Sequence, residues 1–94
     1  MSDITVLTFG TFDYAHPGHR YYLEEAKSLG SLLVTIIARD KTIKRLKSFP
    51  PDHNENERKQ GIEDFHIPNH KVLLGHPDNP YFFLPQLKPD IIAL

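Results

Sequence analysis

Apolar residues fall into four short runs separated by polar stretches, and that spacing predicts most of the elements. Ile4-Thr5-Val6-Leu7-Thr8-Phe9 is β-branched and aromatic, with apolar side chains on both alternating faces. That suits a central strand covered on both sides. Gly10 follows, where a close backbone approach or an unusual dihedral is open. Over Arg20 to Leu29 the period changes. Tyr22, Ala26 and Leu29 recur at i, i+4 and i+7, while Glu24, Glu25 and Lys27 can face water, so a helix is predicted. Pro17 is tolerated in a first helical turn, and Gly30 is placed to cap the C-terminus in the left-handed conformation. Leu32 to Ala38 then reads as a second strand, completing a right-handed βαβ unit.

Arg39-Asp40 end that strand on the same edge as the Gly10 turn. A basic stretch follows (Lys41, Lys44, Arg45, Lys47), and Phe49-Pro50-Pro51 stops any helix. Asn54 and Glu57 have capping-box spacing for a helix running to about Phe65, with Gly61 weakening it by about 1 kcal/mol relative to Ala. Val72 to Gly75 is a short third strand, and His76 to Pro80 a turn. Tyr81 to Leu87 is a short helix interrupted by Pro85, and Ile91 to Leu94 a fourth strand. The β-α-β-α-β-α-β alternation predicts a single α/β domain over residues 1–94: a Rossmann-like open parallel sheet with helices on both faces.

Composition narrows the chemistry. Eleven basic and twelve acidic residues leave the chain near neutral, unlike a general nucleic-acid binder. The 94 residues include no cysteine, which removes disulfides and thiolate chemistry. The longest apolar run is far short of the roughly 20 residues of a membrane span, and the N-terminus does not read as a signal peptide. A cytoplasmic domain without a membrane partner is expected.

The candidate chemistry lies in Gly10 to His19, between the first strand and the first helix. Backbone N–H groups at a helix start have no partner inside the helix, and the helix dipole favours an anion there. His16 and His19, three residues apart, can share one side of that start. They can equally be a cap and a surface residue, or half of a zinc site for which no third ligand stands out. Phosphoryl transfer needs donors and positive charge aimed at charge developing on phosphorus, and two imidazoles with a lysine can supply them. Ligands in open α/β sheets bind at the carboxyl ends of strands, where both Gly10–His19 and Arg39–Lys47 lie. His53, His66, His70 and His76 fall in predicted loops or helix ends and read as solvent-exposed. Tyr21-Tyr22 and Tyr81-Phe82-Phe83 read as core or subunit-contact residues.

Gly10-Thr11-Phe12-Asp13 followed by His16-Pro17-Gly18-His19 resembles the GTFD…HxGH signature of the cytidylyltransferase-like nucleotidyltransferases. These include glycerol-3-phosphate and phosphocholine cytidylyltransferases and archaeal-type FAD synthases. The resemblance continues through Ala38-Arg39-Asp40, Lys44-Arg45-Leu46-Lys47, Asn56-Glu57-Arg58 and Pro89 to Leu94. It implies attack by an acceptor phosphate, on FMN or a glycerol-3-phosphate-like compound, at the α-phosphorus of CTP or ATP. Pyrophosphate leaves, and Mg²⁺ accompanies the triphosphate, with no metal site on the protein. By position, Gly10, Thr11, Phe12 and Gly18 would hold nucleotide phosphates. His16 and His19 would stabilise the transition state, and Lys47 (with Lys44 as the fallback) would bridge the two substrates. Arg58 would assist the phosphate site. Asp13 and Asp40 would bind nucleotide or merely brace their loops. A homodimer is implied, and Ala38-Arg39-Asp40 looks more like the FAD-synthase branch. The family carries a glycine- and aspartate-containing segment and a serine/threonine-rich helix start after the position of Leu94. The expectation is therefore a piece of a longer enzyme with phosphate affinity but without efficient turnover. A non-catalytic nucleotide-binding or interaction module is the alternative.

Overall fold

A computed structural model describes residues 3–47, 49–79 and 81–93. The elements in order are β1 (Thr5–Gly10), α1 (Pro17–Ser28), β2 (Leu32–Ile37), α2 (Asp40–Lys47), α3 (Glu55–Glu63), β3 (His70–Leu74), α4 (Leu84–Leu87) and β4 (Ile91–Ile92). All strand pairs are parallel, in the order β3-β2-β1-β4. The chain moves outward from β1 in one direction, then crosses back to place β4 on the other side. That reversal opens a crevice at the carboxyl end of β1.

Strand alternation divides the core. Val6, Leu33, Ile37 and Val72 face Leu23 and Ala26 of α1 and Ile62 of α3. Leu7, Val34 and Ile36 face the other way, against Leu73 and the segment carrying Phe83, Leu84 and Leu87. Helices therefore cover both faces of a Rossmann-like sheet, as the alternation predicts. No helix among the described residues is long and apolar enough to cross a membrane.

Four details differ from the sequence reading. The basic stretch forms α2, although only Ile43 of that helix is buried. Its start is secured from a distance, since the Asp40 N–H donates to the Glu55 carboxylate at 3.0 Å. Hydrophobic periodicity carries no trace of such a cap. Gly30 is not left-handed: no glycine among the described residues has positive φ. A Cβ at Gly30 would lie 2.6 Å from the Ile4 carbonyl oxygen, so the requirement is close approach to β1. Gly61 has a similar reason, because a Cβ there would sit 3.1 Å from that of Ala15. His70 is not in an exposed loop; it opens β3 and takes part in a buried polar chain. Thr8 and Thr35 are fully buried with hydroxyls 2.8 Å apart, and Thr35 Oγ1 meets His70 Nε2 at 2.7 Å. Both threonine hydroxyls and His70 Nε2 thereby have a partner.

Candidate functional site

The turn after β1 is shaped by three side chains folding back on their own backbone. Phe12 has φ 50, unusual for a residue with a side chain, and its ring lies over Gly10. A Cβ at Gly10 would come within 2.4 Å of that ring, which explains the glycine. Phe12 then meets His19 edge-on, with centroids 5.1 Å apart. His19 stacks on His16 at 3.7 Å and 22°.

His16 is also the N-cap of α1. Its Nδ1 accepts the N–H of Gly18 at 3.0 Å and, more weakly, that of His19 at 3.4 Å. Pro17 has no N–H, and Arg20 donates to the His16 carbonyl. The free helix-start donors expected as a phosphate cradle are thus already engaged. What the turn offers an anion is the imidazoles. A backbone N–H can only donate, so His16 Nδ1 carries no proton and its ring proton sits on Nε2. Gly18 is required because a Cβ there would lie 2.8 Å from His16 Cε1.

Burial, and then the proximity of His16, lowers the pKa of His19, while the Tyr14 carbonyl opposes the shift. His19 Nδ1 is buried without a hydrogen-bond partner among the described residues. The negative charge of an incoming anion would favour the protonated ring.

Arg58 is the hub behind this turn, with a wholly buried side chain. Its Nε donates to the His53 carbonyl at 3.0 Å, one terminal nitrogen to the Thr11 carbonyl at 2.8 Å, and the other to Asp40 at 2.6 Å. The guanidinium faces three loops rather than a ligand, so its geometry is that of a positioning residue. Asp40 answers Glu55 reciprocally, accepting the Glu55 N–H at 3.2 Å. Asp13 accepts the N–H groups of Asp52 and His53, each at 2.9 Å. Burial works to raise the Asp13 pKa, but those N–H groups and His53 together hold it below the usual value. Both aspartates brace their loops.

At the strand-end edge a cavity of about 370 Å³ lies beside Gly10 and Thr11. Phe9, Ile36, Ala38, Leu46 and Tyr81 give it an apolar lining, with Arg39 and His76 among its polar walls. A smaller cavity of about 160 Å³ brings Lys47 to Thr11 and Asp13. Thr11 thus borders both. Lys47 lies in the last turn of α2; Lys44 is exposed and lines neither cavity. The aromatic and aliphatic walls escaped the sequence reading because Phe9 and Ile36 look there like ordinary strand core. Tyr22 packs against the core as expected and donates to the Ala93 carbonyl at 2.9 Å, whereas Tyr21 is exposed. No group of three or more His, Asp or Glu side chains that could hold a metal ion occurs among the described residues.

Comparison with known proteins gives this geometry a context. The cytidylyltransferase-like family model matches residues 7–94. An FAD synthase of Aciduliprofundum boonei is 42% identical over 91 residues, covering 97% of this chain and 60% of that protein. One from Methanobrevibacter ruminantium is 40% identical over 92 residues, covering 95% and 60%. The chain thus spans about 60% of the length of these relatives. A crystal structure of a lipopolysaccharide core biosynthesis protein from Thermoplasma volcanium superposes with a TM-score of 0.83 at 37% identity. It covers 97% of this chain and 73% of that one.

Proposed function

The chain belongs to the cytidylyltransferase-like family, and from that premise we propose that its site serves adenylyl transfer from ATP to FMN. A phosphate oxygen of FMN attacks the α-phosphorus of ATP. The new bond joins that oxygen to phosphorus, the α–β bridging bond breaks, and pyrophosphate leaves with the electron pair. The observation that carries the reading is the stacked His16–His19 pair, which borders the same turn as an apolar cavity large enough for a planar ring. The FAD synthase relatives, near 40% identity, favour ATP and FMN over CTP and glycerol 3-phosphate.

In this reading His16 donates through Nε2 to the triphosphate. His19 meets the α-phosphoryl oxygens on which charge grows during transfer. Lys47 spans the acceptor and nucleotide phosphates from the end of α2. Phe12 and Gly18 keep the two rings stacked, while Arg58, Asp13 and Asp40 hold the surrounding loops in register. Mg²⁺ accompanying the triphosphate would supply further neutralisation of phosphate charge. Exposed Tyr21 and Tyr81 support a homodimer, to be checked by sedimentation equilibrium. A cytoplasmic location follows from the proposed substrates.

Calorimetric titration of the 94-residue chain tests the assignment, with ATP, CTP, FMN and glycerol 3-phosphate in turn. ATP and FMN are expected to bind, and His19→Ala to weaken ATP about tenfold while leaving FMN unchanged. Failure of the wild-type chain to bind ATP overturns the reading.

A further inference from the structure

The His76-Pro77 pair that follows β3 matches the His16-Pro17 pair that opens α1 after the β1 turn, and the two histidines turn back in the same way. In each, the histidine precedes a proline and turns back so that Nδ1 accepts two successive backbone N–H groups. For His76 the donors are Asp78 at 3.1 Å and Asn79 at 2.9 Å. The tautomer argument made for His16 therefore applies again: Nδ1 has no proton, and Nε2 bears it.

The second turn is held as firmly as the first. Phe82 stacks on the His76 ring with centroids 4.5 Å apart and planes at 29°. Lys41 of α2 pairs with Asp78 at 2.9 Å, and Arg39 Nε donates to the Gly75 carbonyl at 2.6 Å. His76 Nε2 makes no hydrogen bond among the described residues, and the ring lines the large apolar cavity. A pocket of hydrocarbon and aromatic walls with a few fixed polar groups binds a flat ring and orients it through those groups.

We propose that His76 determines acceptor specificity. Its Nε2–H donates to a carbonyl oxygen or ring nitrogen on the edge of a planar heterocycle seated in the cavity. This rests on the function proposed above, in which that heterocycle is the isoalloxazine ring of FMN. The β1 turn then handles phosphate, and the same His-Pro device at the end of β3 handles the ring. The repeat places two histidine donors at one sheet edge for two different ends of the reaction.

The test is quenching of flavin fluorescence on titrating FMN with the wild-type chain, His76→Asn and His76→Gln, with ATP affinity measured in parallel. Asparagine can keep the turn by accepting the same backbone N–H groups, but it removes the ring donor. His76→Asn is expected to bind FMN about tenfold more weakly, with ATP affinity and melting temperature unchanged. Glutamine retains an N–H₂ on a longer arm, and its loss is expected to stay below about threefold. FMN affinity unchanged in His76→Asn overturns the inference while the function proposed above stands. Equal weakening of FMN and ATP also overturns it. If the wild-type chain binds ATP but not FMN, the flavin assignment fails and the inference fails with it. Should His76→Asn not fold, an undiminished FMN affinity in His76→Leu overturns the inference equally.

Discussion

A methyl group is the smallest probe of the site. Gly18→Ala adds a Cβ that would lie 2.8 Å from His16 Cε1, so the imidazole must swing away. The lost cap costs about 1 kcal/mol, and the better helix propensity of alanine returns a similar amount. Thermal stability is therefore expected to hold, while the transfer proposed above would fall about 100-fold because the ring is misplaced by an ångström or so. Activity and melting temperature measured on one preparation separate the two effects. His19 allows a second test at this scale. Its pKa is lowered in the free chain by burial, then by His16. A bound triphosphate would raise it, so binding should take up as much as one proton and tighten as pH falls toward 6. Calorimetry in buffers of different ionisation enthalpy counts that proton; a count of zero rules out contact between His19 and the phosphates.

Between elements, the joint that matters is α2 against α3. Asp40 and Glu55 cap each other's helix, and Arg58 ties both to the β1 turn through Asp40 and Thr11. Arg58→Leu would leave two carbonyls and a carboxylate without their partner. The expected loss is about 3 kcal/mol, at the lower end for a buried pair because Asp40 is partly exposed. Urea denaturation measures it, and Arg58→Lys is not expected to rescue three divergent contacts with one ammonium. This joint also marks the limit of the sequence. Local signals sufficed where a segment carries its own reason for its shape: the apolar run of β1, the Asn54–Glu57 box that caps α3, the period of α1. They failed where the reason lies far along the chain. The cap of α2 comes from Glu55, fifteen residues on. The glycine at 30 answers Ile4 rather than its own helix, and His70 is tied to a threonine on the neighbouring strand. The site divided likewise: the HxGH turn was legible as a motif, whereas the cavity emerges only when β1, β2 and the β3–α4 loop meet.

For the whole molecule, the two partly buried histidines set a pH window. Burial lowers the pKa of His70, with Glu63 opposing, and burial lowers that of His19. A histidine depressed in the folded state binds more protons when unfolded. Its contribution is complete above the ordinary histidine value of 6.5 and is lost as pH falls through the lowered folded value. Asp13 acts in a separate range, since its folded pKa is also depressed and its contribution declines only below 3.8. Unfolding free energy is therefore expected to fall as pH drops below about 6.5 on account of the histidines. Urea titrations at several pH values should show a shallower slope there for His70→Gln; an identical slope means that His70 is not responsible.

One residue at the mouth of the site holds two jobs with different substitution rules. As the N-cap of α1, His16 fills a place where asparagine is among the best residues available. As the hydrogen-bond donor to phosphate proposed above, it would be replaced by none of them. His16→Asn should leave the melting temperature within a few degrees of wild type and abolish transfer. Selection on stability alone would consequently be blind at this position, and only the proposed reaction would demand the imidazole. A duplicated gene freed from that second pressure could become a folded, nucleotide-binding but inactive paralogue by a single codon change.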